Sequence, residues 1–325
     1  MSVISQRATL RPSRLLSLQR RYTFAFAAVL SVAMLIVNLE TSQGGFGWTQ
    51  QLANLAPLAI AAMASTPSII SGGGGIDLSV SPTMTLTSVI FVAWLVPAGL
   101  GGAISVPIIL GIGLVIGLLN GFLIISLRIP PVVLTLASYF VLIGVSAKIL
   151  ASPQYLTTTW VSSLGGDVGP IPGALFTIGA PLAIWFLIGL VPYRTALYIV
   201  GSNDATAFSS GLNVALVRMI AYGIGGLFSA IGGFALTAIT LSADPSQATT
   251  YTLVAVASVA LGGTSLLGGR GGIVGPLLGA ATIYLLQDLL VTLQLNTTWL
   301  QVVYGATLVI AVVLSGVVSR TRTKL

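Results

Sequence analysis

Between residues 22 and 318 the chain is a run of apolar stretches separated by glycine, proline and short polar turns, with no intervening segment long enough to build a soluble domain. A helix needs about 20 mostly apolar residues to cross a bilayer. Segmenting at the breaks predicts ten such helices, over residues 22–38, 50–70, 78–98, 103–126, 131–150, 174–192, 214–241, 253–266, 273–291 and 299–318. Only 6% of the residues are charged, against about 25% in soluble domains, so the surface of these helices cannot face water. The expected fold class is an all-α polytopic membrane protein of about ten transmembrane helices. One transmembrane domain (22–318) lies between a basic N-terminal segment (1–21) and a basic tail (319–325).

The second, third and eighth stretches have ragged ends, so nine and eleven are alternative counts, and the arginines arbitrate. Lys and Arg gather in cytoplasmic loops of multi-pass proteins. Five arginines precede residue 22; with that end inside, ten crossings put Arg128, Arg194, Arg218, Arg270, Arg320, Arg322 and Lys324 on the cytoplasmic side. Lys148 alone falls outside, together with Glu40, Asp167 and Asp244. Both termini are therefore expected in the cytoplasm, with the long connection 152–172 outside and 193–213 inside. The net charge of +7 then reads as attraction to the anionic inner leaflet rather than to nucleic acid. A cleaved signal peptide is also basic and then apolar, but its apolar core is about 7–15 residues; the longer stretch 22–38 predicts a retained first helix.

The chain contains no histidine and no cysteine. That inventory excludes disulfides, thiolate nucleophiles, Cys/His zinc sites and Ser-His-Asp chemistry, and no metal site or catalytic residue is expected. Two glycine clusters are left to explain. "SGGGGIDLSVS" (71–81) lacks the lysine of a phosphate-binding P-loop, and so does "GGTSLLGGRGG" (262–272). Ser265 has no histidine to act as its base. Glycine here permits broken helices, which survive at membrane depth only when buried in protein or lining a wet cavity. After the break, Asp77, Ser79 and Ser81 are expected to cap the third helix; the sharper alternative is that the segment borders a solute path or inner gate. Asp288 reads as an ordinary group near the outer end of the ninth helix, and Asn54 and Asn120 as interhelical or path-lining groups. Gly113, Gly117 and Gly121, and likewise Gly275 and Gly279, recur every four residues, the spacing of a small face that lets helices pack closely.

On the expected cytoplasmic side, "GSNDATAFSSGL" (201–212) reads as a short helix with Asn203 or Asp204 as its N-cap and Gly211 as its stop. A short capped helix held off the membrane suits a docking element; an ordinary linker is the bland alternative.

Five stretches, "GGIDLSV" (74–80), "GLLNGFLI" (117–124), "LRIPPVVLTLAS" (127–138), "GSNDATAFSSGLNV" (201–214) and "LGGTSLLGGRGGIVGPLLGA" (261–280), resemble the membrane permeases of ribose/xylose-type ABC importers, in order and over about two thirds of the chain. The resemblance implies a permease in the bacterial cytoplasmic membrane that imports a monosaccharide or sugar-like solute by alternating access. It implies a second permease copy or paralogue, cytoplasmic ATPase subunits and an extracytoplasmic sugar-binding protein as partners. ATP and Mg would belong to the ATPase subunits, and this chain would hold no cofactor. The ATPase-facing segment maps onto Gly201, Asn203, Asp204, Ala207 and Gly211, where a bulky side chain at Ala207 is expected to clash with the ATPase groove. Gly74, Gly75, Asp77, Ser79, Asn120, Thr264 and Ser265 are the candidate path or gate. The rival reading is a proton- or sodium-coupled secondary transporter carrying its ions on Asp77 and Asp288.

Overall fold

The computed structural model describes residues 14–41, 45–157 and 159–294, with isolated positions between 299 and 309. The expected tenth helix, the basic tail 319–325 and the first thirteen residues lie outside the described residues.

Helix α1 (Arg14–Thr41) leads to α2 (Trp48–Ile70), which becomes the axis of the molecule: every residue from Ala56 to Ile70 is buried. After the tetraglycine come α3 (Val80–Ile90), which runs on as a π-helical turn over Phe91–Leu95, then α4 (Ser105–Leu127) and α5 (Pro131–Ile149). A connection containing β1 (Gln154–Tyr155), the one-turn α6 (Ser162–Gly165), β2 (Asp167–Val168) and β3 (Ile171–Pro172) precedes α7 (Ala174–Ile188). Next are α8 (Tyr193–Ser202), α9 (Asp204–Ser209), α10 (Val214–Thr240), β4 (Ser242–Ala243), a 3-10 turn (Pro245–Thr249), α11 (Thr252–Leu261) and α12 (Val274–Thr292).

Among the described residues, α2, α4, α5, α10 and α12 are long and apolar enough to cross a membrane, and α7 with α8 would make a sixth if that pair, bent by 88°, were one span. Three expected spans are corrected. The stretch 253–266 holds α11, only 10 residues, about 15 Å at 1.5 Å per residue and half a hydrocarbon core; it stops at Gly262, before Gly263 at φ +77°. The stretch 78–98 starts its helix only at Val80, and 174–192 ends at Ile188 before α8 turns away. The all-α expectation needs one amendment: four two-residue strands pair antiparallel, β1 with β4 and β2 with β3. Loop backbone groups at one end of the bundle satisfy one another there.

Side-chain chemistry separates the two ends of the bundle. At one end Gln51 donates to Asp288 (3.0 Å), Thr49 to Asp167 (2.7 Å), and the Trp160 indole to the Gly101 carbonyl (2.7 Å). At the other, Gly269 N–H reaches the Ile70 carbonyl at 2.9 Å, and Arg128 and Arg218 line one cavity. Along the shaft, α4 buries Ser105, Ile109, Gly113, Gly117, Asn120, Gly121 and Ile124, one stripe at helical spacing. The stripe lies on α10: a Cβ at Gly113 or Gly117 would overlap the carbonyl oxygens of Gly226 and Tyr222, and one at Gly121 would sit 2.8 Å from Met219 Cα. Gly275 and Gly279 press likewise on the carbonyls of Gly262 and Ser258. Without hydrophobic drive between helices in lipid, such backbone proximity supplies the packing.

Candidate functional site

The tetraglycine is a reversal of the chain rather than a slack linker. Gly72, Gly73 and Gly74 take φ of +75°, +64° and +72° in succession, a left-handed run open to glycine but strained for other residues. Gly75 lies so close to the last turn of α2 that a Cβ would overlap the Ser68 carbonyl. Asp77 follows, 3% exposed. It does not cap α3: its Oδ1 accepts from the Ser79 amide (2.9 Å) and the Ser79 hydroxyl (2.6 Å), a local turn ahead of the helix, and Ser79 at the N-cap makes no side-chain capping bond. The Asn120 amide on α4 donates to Ser79 Oγ (2.9 Å), and Ser138 Oγ on α5 donates to Asn120 Oδ1 (2.5 Å). Thr135 on α5 accepts from the Leu78 amide at 3.1 Å. The far side of the break is thus fastened to two neighbouring helices.

The near side meets two other segments, again through glycine. A Cβ on Gly201, at the end of α8, would overlap the Ile70 carbonyl and stand 2.7 Å from Gly269 N; one on Gly72 would stand 2.8 Å from Gly201 O. Gly268, at φ +92°, presses on Gly72 Cα. Three stretches far apart in sequence therefore touch backbone to backbone. Thr264 and Ser265 are not beside Asp77's hydrogen bonds; they close their own loop, Thr264 Oγ1 to the Gly272 carbonyl (3.2 Å) and the Ser265 amide to the Arg270 carbonyl (3.1 Å). Tyr198 on α8 donates to the Gly271 carbonyl at 2.8 Å and ties that loop to α8.

Beside this junction stands α9. Asn203, with extended backbone, accepts from the Thr206 amide at 3.0 Å and caps it. Gly211, at φ +79°, ends it: its N–H reaches the Phe208 carbonyl (2.9 Å) and Leu212 N–H the Ala207 carbonyl (3.1 Å), the paired bonds of a glycine-terminated helix end. Ala207 is 0% exposed and joins the apolar core, whereas Phe208 is 76% exposed. The bulky-residue clash expected at Ala207 is corrected accordingly: that methyl seats the helix on its own chain, and the ring one residue on is what the helix presents. Asp204 accepts from Arg218 Nη2 at 2.8 Å, the one ion pair among the described residues. With Asp204 half exposed, such a pair adds about 0–1 kcal/mol, so its effect is on geometry more than on stability. A cavity of about 1050 Å³ opens here, bounded by Ser71, Arg128, Phe208, Leu212, Arg218 and Tyr222. The Tyr222 hydroxyl is buried with no partner among the described residues.

Sequence reasoning picked out both ends of this assembly but not Arg218, Gly72, Ser138 or Tyr198. Only the placing of Arg218 on the basic side hinted at it. No three acidic groups cluster among the described residues. The arrangement is built to couple segments to one another.

Residues 48–312 match the family described as "Branched-chain amino acid transport system / permease component". The chain is 34% identical over 253 residues to the ribose import permease protein of Bacillus subtilis strain 168, covering 74% of this chain and 76% of that protein. It is 30% identical over 296 residues to the ribose import permease protein of Escherichia coli K12, covering 88% and 91%. With the fructose import permease protein of Rhizobium meliloti it shares 28% identity over 278 residues, covering 82% and 77%. No solved structure matches the chain.

Proposed function

This chain belongs to the permease family just described, and we propose that it is the transmembrane subunit of an ATP-driven importer that moves a monosaccharide or sugar-like solute into the cytoplasm by alternating access. The arginine-bearing end faces the cytoplasm, about ten helical segments build the membrane domain, α11 among them too short to cross by itself, and both termini lie inside. Residues 193–213 dock separate ATPase subunits, with Gly201 at the hinge, Asn203 and Gly211 fixing the ends of α9, Asp204 holding its orientation and Ala207 seating it. A second permease copy or paralogue and an external sugar-binding protein complete the assembly. The solute path borders the break at Gly74, Gly75, Asp77, Ser79 and Asn120. The buried hydroxyls of Ser81 and Thr85, one turn apart on α3 and without a partner among the described residues, support this, since such groups are costly unless something pairs with them. The loop of Thr264 and Ser265 closes the inner end.

One observation carries the reading: a six-residue helix with a closed cap at each end presents an exposed phenyl ring, and stands against the junction where the broken helix begins. Nothing in that helix serves the core except Ala207. Solute uptake by the assembly reconstituted with its ATPase subunits is expected to require ATP and to survive a protonophore. Uptake by this chain alone, driven by a proton gradient, would point to the secondary transporter instead. Phe208→Ala is expected to weaken retention of ATPase subunits on the purified permease without lowering its yield. Cysteines placed at the exposed positions Ser163 and Ser246 should react with an impermeant reagent from outside, and one at Ser210 should not. Ser242, which the loop arithmetic also puts outside, is buried in β4 and unsuited to that test.

A further inference from the structure

We propose that Arg218 is a positioning residue for transport, through which α9 sets the conformation of the tetraglycine break; this rests on the reading of α9 as the ATPase-docking element. Arg218 projects from the second turn of α10, and its guanidinium meets two separate pieces of chain, α9 and the stretch 71–73. Nη2 donates to Asp204 Oδ1 on α9 at 2.8 Å. Nε donates to the Ser71 carbonyl at 3.3 Å, just past the end of α2, where helix carbonyls lack partners of their own. The group fills the space beside Gly73: a Cβ there would stand 2.7 Å from Nη2 and 2.9 Å from Cζ. A planar fork holds two such acceptors in fixed directions from one rigid group, a geometry that a lysine ammonium on its flexible stem does not reproduce.

The mechanical consequence follows from what holds the other side. Beyond the glycines, Asp77, Ser79, Asn120 and Ser138 form an unbroken run of hydrogen bonds into α4 and α5. The left-handed glycines are therefore the link between a clamped end and a driven end. A partner that shifts α9 moves Asp204, Asp204 moves the guanidinium, and the guanidinium moves Ser71 and Gly73.

The test uses the complete importer in vesicles and reads two quantities separately: ATPase subunits retained on the purified permease, and solute moved per ATP hydrolysed. ATP-dependent uptake by the wild type is the control for the docking reading, which fails by itself if that uptake needs no ATP. With the control met, Arg218→Ala and Arg218→Lys are expected to keep the ATPase subunits bound and to lower solute moved per ATP by about tenfold, in the range of ordinary coupling between sites. The lysine variant separates position from charge. Gly73→Ala, which leaves Arg218 chemically intact but displaces its guanidinium, should give the same loss even where an arginine variant folds poorly. Wild-type yield per ATP in Arg218→Lys and Gly73→Ala would overturn the proposal. Loss of bound ATPase subunits in Arg218→Ala would overturn it too, by showing that the side chain merely supports the docking element.

Discussion

Two of the glycine assemblies that hold this molecule together use the residue differently. In the seam between α4 and α10, Gly113, Gly117 and Gly121 have ordinary helical backbone, and what matters is the missing Cβ: the facing carbonyls of Gly226 and Tyr222 occupy its place. At the junction of α2, α8 and the 262–272 loop, Gly72 and Gly268 also lack room for a Cβ, but in addition their backbones are left-handed. The seam is close packing along two regular rods. The junction joins three irregular chain ends, each held by its neighbours. Damage to the first should therefore be read mainly in stability, and damage to the second mainly in transport.

The strongest test of that contrast is Gly268→Ala. The left-handed backbone penalises an alanine by about 1–2 kcal/mol, and the new methyl overlaps Gly72. Uptake is expected to fall to background while the thermal unfolding midpoint of the purified permease moves by no more than several degrees, the shift expected for about 2 kcal/mol in a chain this size. A collapse of stability to match the loss of uptake would break the distinction. Gly117→Ala is the mirror case: forced against the Tyr222 carbonyl, it should destabilise by about 1–3 kcal/mol, with uptake per folded molecule nearly preserved. A smaller effect belongs to Asn120→Ala. It removes one bond to Ser79 and one from Ser138 while leaving Ser79 bound to Asp77, so a loss of about 1 kcal/mol is expected, visible in thermal scans. The smallest is Gly144→Ala on α5, where a Cβ would meet nothing within 4 Å. There the change should be neutral or stabilising by at most about 1 kcal/mol, and a clear loss of activity would reveal a partner surface on α5.

Much of this architecture is legible in the residues. Apolar runs of the right length mark the long helices, since in lipid every backbone group must be satisfied within its own segment. The caps of α9 are equally readable, because Asn203 and Gly211 act through local bonds. What stays hidden depends on meetings between distant segments. Gly72, Gly201 and Gly268 look like three unrelated breaks until the fold brings them within contact. The inward turn of Ala207 is hidden for the same reason: a six-residue helix has too few turns for periodicity to say which side is covered. The 88° bend between α7 and α8 falls at the Gly189–Pro192 stretch, where the sequence marks a break but not its angle. The shortness of α11 is intermediate, as its glycine stop is visible but the apolar residues after it suggest continuation.

The burial of α2 bears on how the chain enters the membrane. This helix has Gln50, Gln51 and Asn54 in its first turns, Pro57 and Pro67 inside it, and Ser65, Thr66 and Ser68 near its end. It is second in order of synthesis, yet the surfaces that cover it come from α7, α10, α11 and α12, which emerge from the ribosome more than a hundred residues later. Isolated in lipid it would expose polar side chains and a proline-interrupted hydrogen-bond ladder, whereas α4 and α5, apolar over most of their surface, are at ease there from the start. Biogenesis is therefore expected to run out of register with the chain: the outer helices settle first, and the axis of the finished protein is among the last pieces to reach its final depth. A nascent chain stopped before α10 should leave α2 open to protease, and one extended past α12 should protect it.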